Sequence, residues 1–516
     1  MKKAPNKSAA PASTTPFLLV SLFITGSCSL ILEIVGTRLI SPFYGSSIYT
    51  WSALITTTLV ALSAGYAWGG RLGDRDPRLA LFARLLLAAG LAVAVIPVLR
   101  EPVLRASAPL GLKLGALIAA AALVGPTLAL LGMMGPIVTR LTATSASDAG
   151  RRSGDAWAVS TLGSVAGAGL AGFILIPLWP VSRILFGVAA VLAGLGAWGS
   201  WLAVRRVPAV KLAVAAALVV LSARAADSPH SAVLKRVESA YGRIEVVDGG
   251  ENLYLLVNGT NQSAMEKSTR MSPTPYIRAL QWSRALRPQA KTALVLGLGA
   301  GLLPMALERA GMTVDSVEID PEIARTARDH FGYAPRGRTF IDDARAVLES
   351  RHERWDLMAL DAFGSESPPC HLFTVEAFTR MRESLTPGGV LAVNLSSGLN
   401  GPEGRPWRAT YKTLARVFPN VRIFVGARAA PGLFNVLFFA SSGSLDAPAS
   451  AAPADARAAV AQMLTLELTP RPADATEMSV VTEMTDDYAP LDSLLAATAV
   501  RARRLLQEEM PEILLR

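Results

Sequence analysis

Four short stretches in the second half of the chain each end an apolar run with residues able to hold a nucleoside. The first is the turn Gly297, Gly299, Gly301 in "TALVLGLGAG". Glycines there let the backbone turn tightly and approach a ligand without a Cβ clash, a weak signal alone that gains weight between a strand and a helix. The second is Glu318, closing "SVEID", where a carboxylate can accept hydrogen bonds from both ribose hydroxyls. Asp320 follows it, and as the residue before Pro321 its plainer role is a helix N-cap. The third is Asp342-Asp343-Ala344, where an acid can take an adenine amino group or else cap the next helix. The fourth is Asp361, ending "LMAL" and opening "DAFGSESPP". A carboxylate at the tip of a buried strand costs free energy unless it is used.

These residues need a parallel sheet to bring them together. From residue 292 onward strands alternate with helical patterns, which implies a doubly wound sheet with ligands beyond the carboxyl ends of its strands. Ahead of it, residues 235–275 alternate in short bursts broken at Gly249-Gly250 and Asn258-Gly259, the pattern of a small antiparallel β unit. Residues 276–516 then form the Rossmann-like, methyltransferase-type domain. Within it, the Ala/Ser/Pro-rich stretch 442–456 reads as an exposed loop and 496–516 as a helical tail.

The first half is of another kind. Residues 1–226 carry 19 Lys/Arg and 6 Asp/Glu, whereas residues 227–516 carry 31 and 34. The basic excess thus belongs to the apolar half, where it reads as loop charge beside membrane spans and not as a nucleic-acid footprint. A span needs about 20 apolar residues. Stretches 17–32, 51–70, 79–99, 114–139, 156–182 and 184–204 qualify, and 207–223, with Lys211, is a doubtful seventh. An α-helical multi-pass membrane domain over 17–226 follows, behind a polar, disordered lead-in at 1–16.

The N-terminus and the loops at 71–78, 140–152 and 205–211 hold 12 Lys/Arg, against 5 in the alternate loops. That bias predicts a cytoplasmic N-terminus in the cell (inner) membrane. Six spans would keep the second half cytoplasmic; seven would export it. Gly163 and Gly167 form a GxxxG step suited to close helix packing within the chain or to a homodimer face. Glu33 and Arg38 lie at the end of the first span. Such a pair reads as a functional group at membrane depth or as an ion pair near the interface. The following "SPFYGSSIYTW" reads as a turn or re-entrant segment. Two cysteines in different halves exclude a disulfide framework, and no metal-binding spacing occurs.

Taken together, the "NGxxQ" turn (Asn258 to Gln262), the glycine turn, "VEID", "DDA", "LDAF" and "LTPGG" resemble the spermidine synthase (polyamine aminopropyltransferase) family over residues ~235–440. The whole chain is similar to the membrane-fused branch, which also carries "LEIVGTRLISPFYGSS", "GYAWGGRLGDR" and "TDDYAPLD". The resemblance implies transfer of an aminopropyl group from decarboxylated S-adenosylmethionine to a small amine, with methylthioadenosine leaving and no metal. It implies Asp361 as the base and Gln262, Glu318 and Asp343 as holders of the methylthioadenosine part, beside Gly297, Gly299, Gly301 and Ala344.

Departures cluster at the amine end. The family's acid in the glycine turn is Ala300, its "YQ" is Tyr241-Gly242, its "YH" is Tyr276-Ile277, and its second aspartate is Gly364, with Glu366 nearby. Three readings follow. One is an aminopropyltransferase for some amine. Another is different chemistry of S-adenosylmethionine, either methyl transfer or internal displacement. The third is a nucleotide-binding transporter or sensor without catalysis.

Overall fold

The computed structural model describes residues 14–44, 48–143, 145, 147–204, 232–364, 367–430, 432–470 and 475–496. The chain divides into two compact units, Met1–Pro229 and His230–Arg516. The doubtful span 207–223 and nearly all of the tail at 496–516 lie outside the described residues, as does most of the lead-in at 1–16.

The first unit is helical: α1 (Thr15–Tyr44), α2 (Ile48–Arg75), α3 (Leu79–Ser107), α4 (Gly111–Leu123), α5 (Gly125–Gly132), α6 (Met134–Thr142), α7 (Ala149–Leu170), α8 (Ile176–Leu178) and α9 (Val181–Val204). Among the described residues, five helical stretches are long and apolar enough to cross a membrane: Thr15–Ser41, Ile48–Arg75, Leu79–Leu123, Ala149–Leu175 and Val181–Val204. The third of these has 45 residues, about 68 Å if straight, twice the hydrocarbon thickness. It is broken instead at Ala108–Leu110 and at Gly111, whose φ of 77° suits glycine. The stretch expected as one span at 114–139 is three helices jointed at Val124 and Met133. Pro126 and Pro136 explain the joints, since each lacks an amide and crowds the preceding turn.

Gly163 and Gly167 of α7 lie against α1, and a Cβ at either would overlap the carbonyl of Phe23 or Ser27. The Ser27 hydroxyl donates to the Gly163 carbonyl at 2.8 Å, and that of Ser164 to Gly26 at 3.2 Å. These glycines therefore serve helix packing inside the unit. Glu33 of α1 is half-buried beside Thr58 of α2. Of the expected turn or re-entrant segment at 41–51, residues 41–44 end α1, residues 48–51 open α2 and residues 45–47 lie outside the described residues; the Tyr44 hydroxyl donates to Ser107 Oγ at 2.6 Å.

The second unit opens with an antiparallel meander, β1 (Val233–Glu238), β2 (Arg243–Asp248), β3 (Asn252–Val257) and β4 (Thr260–Glu266). Asn258 and Gly259, both at positive φ, make the two-residue turn between β3 and β4. The main sheet follows: β5 (Thr292–Leu296), β6 (Thr313–Glu318), β7 (Thr339–Ile341), β8 (Trp355–Leu360), β9 (Leu385–Ser397), β10 (Asn420–Ala430) and β11 (Leu433–Ser441). Its order is β10-β11-β9-β8-β5-β6-β7. Strands β7, β6, β5, β8 and β9 are parallel, as the alternating pattern predicts. The last two are an addition: β11 runs antiparallel to both β9 and β10. The cause is the short connection at Gly432 (φ 77°), since a tight hairpin can only join antiparallel strands.

Both faces of the sheet are buried, as a parallel sheet requires. Val295 and Ala293 face a core containing Trp282, Phe424 and Phe439, while Leu294 and Leu296 face Leu360, Phe378 and Val393. Trp282 meets Phe424 and Phe439 edge-on at 5.2 and 4.9 Å, and its indole N–H donates to the Ala447 carbonyl at 3.0 Å. The stretch 442–456 is largely exposed, as expected of a loop, but that bond and the buried Leu445, Ala452 and Ala456 anchor it. Small alanine side chains let this stretch lie flat against the aromatic cluster.

Candidate active site

Strand order reverses at β5, which has β6 on one side and β8 on the other. This is where an open α/β sheet forms its ligand crevice. The turn leaving β5 has positive φ at Gly297 (97°), Gly299 (53°) and Gly301 (79°). A Cβ on Gly297 would overlap the Asp361 carbonyl. On Gly299 it would lie 2.8 Å from Ser263 Oγ, and on Gly301 2.6 Å from the Tyr333 ring. Each glycine is thus demanded twice, by backbone angle and by close approach.

Glu318 ends β6 and is only 7% exposed. Its Oε2 accepts the Leu298 amide at 3.2 Å and its Oε1 the Asp320 amide at 3.0 Å. Burial pushes its pKa up to about 6, against the lowering pull of backbone N–H groups from Asp320, Leu298 and Gly299. The carboxylate is therefore fixed onto the glycine turn itself.

Asp361 ends β8. Its Oδ1 accepts from Asn394 Nδ2 at 2.8 Å and its Oδ2 from the Tyr276 hydroxyl at 3.3 Å. Burial raises its pKa, and the two hydrogen bonds oppose that rise. The Tyr276 phenol is pushed well above its ordinary value by burial first and then by the Asp361 charge. Asn394 lies on β9, and its Oδ1 accepts from Asn435 Nδ2 at 3.1 Å.

Asp320 and Asp343 both act as helix caps. Asp320 Oδ1 accepts the Glu322 amide at 2.9 Å, and its other oxygen takes the Ser239 hydroxyl. Ser239 Oγ in turn accepts the amides of Tyr241 and Gly242 at 3.1 Å, which ties the β unit to the main sheet. Asp343 Oδ1 accepts the amides of Arg345 and Ala346 at 2.9 and 3.2 Å at the head of helix Ala344–Ser350. Its Oδ2 lies 3.0 Å from His371 Nε2. Asp342 is exposed. The half-exposed Tyr241 lies within electrostatic reach of these acids. Its phenol is raised by burial first and then by the charges of Asp320, Asp343, Asp342 and Glu318.

Gln262 sits on β4 at a register irregularity: Leu255 pairs with Ser263 and Leu256 with Asn261, which leaves Gln262 as the extra residue. Bulges of this kind re-aim a side chain beside functional sites. Its neighbour Ser263 accepts the Ala300 amide at 3.2 Å, so β4 reaches the glycine turn. Ala300 is fully buried. Gly242 packs against Asn258, whose amide nitrogen would lie 2.7 Å from a Cβ there. Asn394, Asn435, Ser239, Ser263 and His371 are site residues that the sequence motifs do not single out. A polar residue inside the apolar runs "VLAVNLSS" and "LFNVLFFA" is the signal that could have found the two asparagines. Glu366 lies outside the described residues.

"TDDYAPLD" folds near the same region. Asp486 accepts from Thr374 Oγ1 at 2.7 Å and pairs with Arg345 at 3.0 Å, while Asp492 accepts from Ser367 Oγ at 2.8 Å.

No family model matches the chain. A probable polyamine aminopropyl transferase of Bifidobacterium longum is 32% identical over 188 residues, 36% of this chain and 42% of that protein. The polyamine aminopropyltransferase of Vibrio vulnificus is 32% identical over 158 residues, 29% of this chain and 52% of that protein. An N-terminal histidine N-methyltransferase of Emericella nidulans is 31% identical over 155 residues, 28% of this chain and 27% of that protein. The chain spans about half the length, or less, of these relatives. Among solved structures, a probable spermidine synthase from Corynebacterium glutamicum aligns at a TM-score of 0.41 with 21% identity, over 50% of this chain and 97% of that one. Over the stretches matched, this chain is homologous to the polyamine aminopropyltransferases and is spermidine synthase-like in sequence.

Proposed function

We propose that the chain is a membrane-bound aminopropyltransferase that takes decarboxylated S-adenosylmethionine, or S-adenosylmethionine itself, and alkylates an amine. The observation that carries this reading is Asp361. It is a carboxylate at the switch point, clamped by Asn394 and Tyr276 and packed against the glycine turn that Glu318 grips from the other side. The names of the relatives support the same reading.

The donor supplies a carbon already activated by a positive sulfur. The amine lone pair forms the new C–N bond as the C–S bond breaks, and that electron pair leaves with neutral methylthioadenosine. What the chain must do is orient and hold a proton. Glu318 accepts the ribose hydroxyls, Gln262 and the Asp343 region close over the nucleoside, and Ala344 and the glycine turn allow close backbone approach. Asp361 takes the proton from the alkylated nitrogen and so must be ionised when the amine binds. Alignment of amine and carbon supplies most of the acceleration.

The helical unit supports placement in the cell membrane, and the loop charges support a cytoplasmic N-terminus. A second reading is other chemistry of S-adenosylmethionine, methyl transfer above all. It is favoured by the fully buried Ala300 and by Gly364, where the resemblance leads one to expect acids, and by the methyltransferase relative. The test is incubation of purified protein with each sulfonium donor, with and without amines. Methylthioadenosine with an alkylated amine supports the first reading. S-adenosylhomocysteine supports the second, and binding without turnover points to a sensor or transporter.

A further inference from the structure

The two asparagines behind Asp361 form a directional chain. Asn435 of β11 donates its Nδ2 to Asn394 Oδ1 at 3.1 Å, and Asn394 of β9 donates its Nδ2 to Asp361 Oδ1 at 2.8 Å. Leu437 pairs with Asn394 across the strands, so Asn435, two residues away, shares its face. Asn394 is 1% exposed and Asn435 5%. Neither amide can turn to water for a substitute partner, so each must keep the partners it has.

An asparagine amide has one accepting and one donating end. Because Asn435 holds the accepting end of Asn394, only the donating end is left for Asp361. We propose that Asn435 is a positioning residue that fixes the orientation of the Asn394 amide and thereby keeps Asp361 in the ionised, proton-accepting state. This rests on the reading of Asp361 as the base.

The sign follows from the chemistry. A donor on a carboxylate favours its charged form and lowers the pKa; an acceptor there favours the protonated form. If Asn394 flips, its carbonyl faces Asp361, which then holds a proton to higher pH. The groups that face Asp361 are Asn394 from β9, Tyr276 from helix Pro275–Leu280 and the backbone of the turn after β5. Tyr276 is the titratable one among the described residues that shift it, and no charged side chain among them does so.

The test starts from Asn435→Asp, the same shape with reversed hydrogen-bonding polarity. A carboxylate at 435 competes with Asp361 for the donating end of Asn394 and adds a charge that by itself raises the Asp361 pKa, so the neutral Asn435→Leu carries the test of orientation. With Asn435→Asp the full-length protein should show the acid limb of kcat/KM moved up by about one pH unit or more. Asn435→Leu, which removes the donor, should move it the same way by less. Asn435→Ser, whose hydroxyl can still donate, should restore the original profile. Should the Asp variant fail to fold, the Leu and Ser pair decides alone. An unmoved acid limb in the Leu variant, or a shift in Ser equal to that in Leu, overturns the proposal. Titration of the Asp361 carboxyl by carbon-13 NMR, assigned with Asp361→Asn, separates the two claims. Turnover surviving in Asp361→Asn sinks the base assignment, while the titration still reports whether Asn435 governs that carboxyl.

Discussion

Glu318 and Asp361 close the two strands that flank β5, so the glycine turn at Gly297–Gly301 emerges between them. Glu318 holds this turn through the Leu298 amide, and the Asp361 backbone closes against Gly297. Strands two apart in a sheet are separated by about 10 Å. That spacing suits one acid on a ribose and another at the reacting end of the same ligand.

Glu318 should make nucleoside affinity depend on pH. Its pKa of about 6 in the folded protein lies above the ordinary carboxylate value because of burial. A raised carboxyl pKa means that stability is lost as pH rises through the interval between the unfolded value and about 6, by about 2 kcal/mol. On the proposed reading, ionised Glu318 accepts two ribose hydroxyls. Calorimetry should therefore show affinity rising as pH passes about 6, and Glu318→Gln should lack that step. A pH-independent wild type would contradict the assignment.

Asp343 caps a helix and, on the proposed reading, also holds the donor, two jobs that substitution can separate. Its cap is worth about 1 kcal/mol, so Asp343→Ala should lower thermal stability and donor affinity together. Asp343→Ser keeps a capping oxygen and should restore stability alone. Full recovery of donor affinity in the Ser variant would make Asp343 a cap and nothing more.

Gly301→Ala should destabilise the second unit by about 1–3 kcal/mol, since it adds positive-φ strain to a contact with the Tyr333 ring. It should also weaken donor binding, measured by the same calorimetry. A variant as stable and as tight as wild type would show that the turn relaxes freely.

In the first unit, Gly163→Leu should separate α1 from α7, because the new side chain must enter space filled by the Phe23 backbone. The expected result is loss of monodisperse protein on size exclusion after mild detergent extraction. The same substitution at Gly169, which has open space around it, should be tolerated.

Glu318 and Asp361 are legible in the sequence because a charge that ends an apolar run is costly to place unless it has a partner or a ligand. The parallel core is legible from the alternation of strands and helices, and the Asn258-Gly259 turn from its dipeptide. Roles that depend on pairing are hidden. Asp343 as cap and Asp343 as ligand-holding acid look alike in sequence, and the bulge at Gln262 exists only through the register of β3 with β4. Asn394 and Asn435 lie 41 residues apart and meet only because β11 returns beside β9. The break at Gly111 is legible as well, since it falls in the charged interval 100–113 that separates the expected spans 79–99 and 114–139; what the sequence does not show is that helix continues through Ser107 before it.

Asp361 is the residue on which the proposed chemistry turns. Purified full-length protein, given decarboxylated S-adenosylmethionine and a panel of amines, should release methylthioadenosine together with an aminopropylated amine. Asp361→Asn should lower that rate by about a hundredfold or more while still binding donor. Unchanged release by Asp361→Asn, or no methylthioadenosine from wild type with any donor and amine, would contradict it.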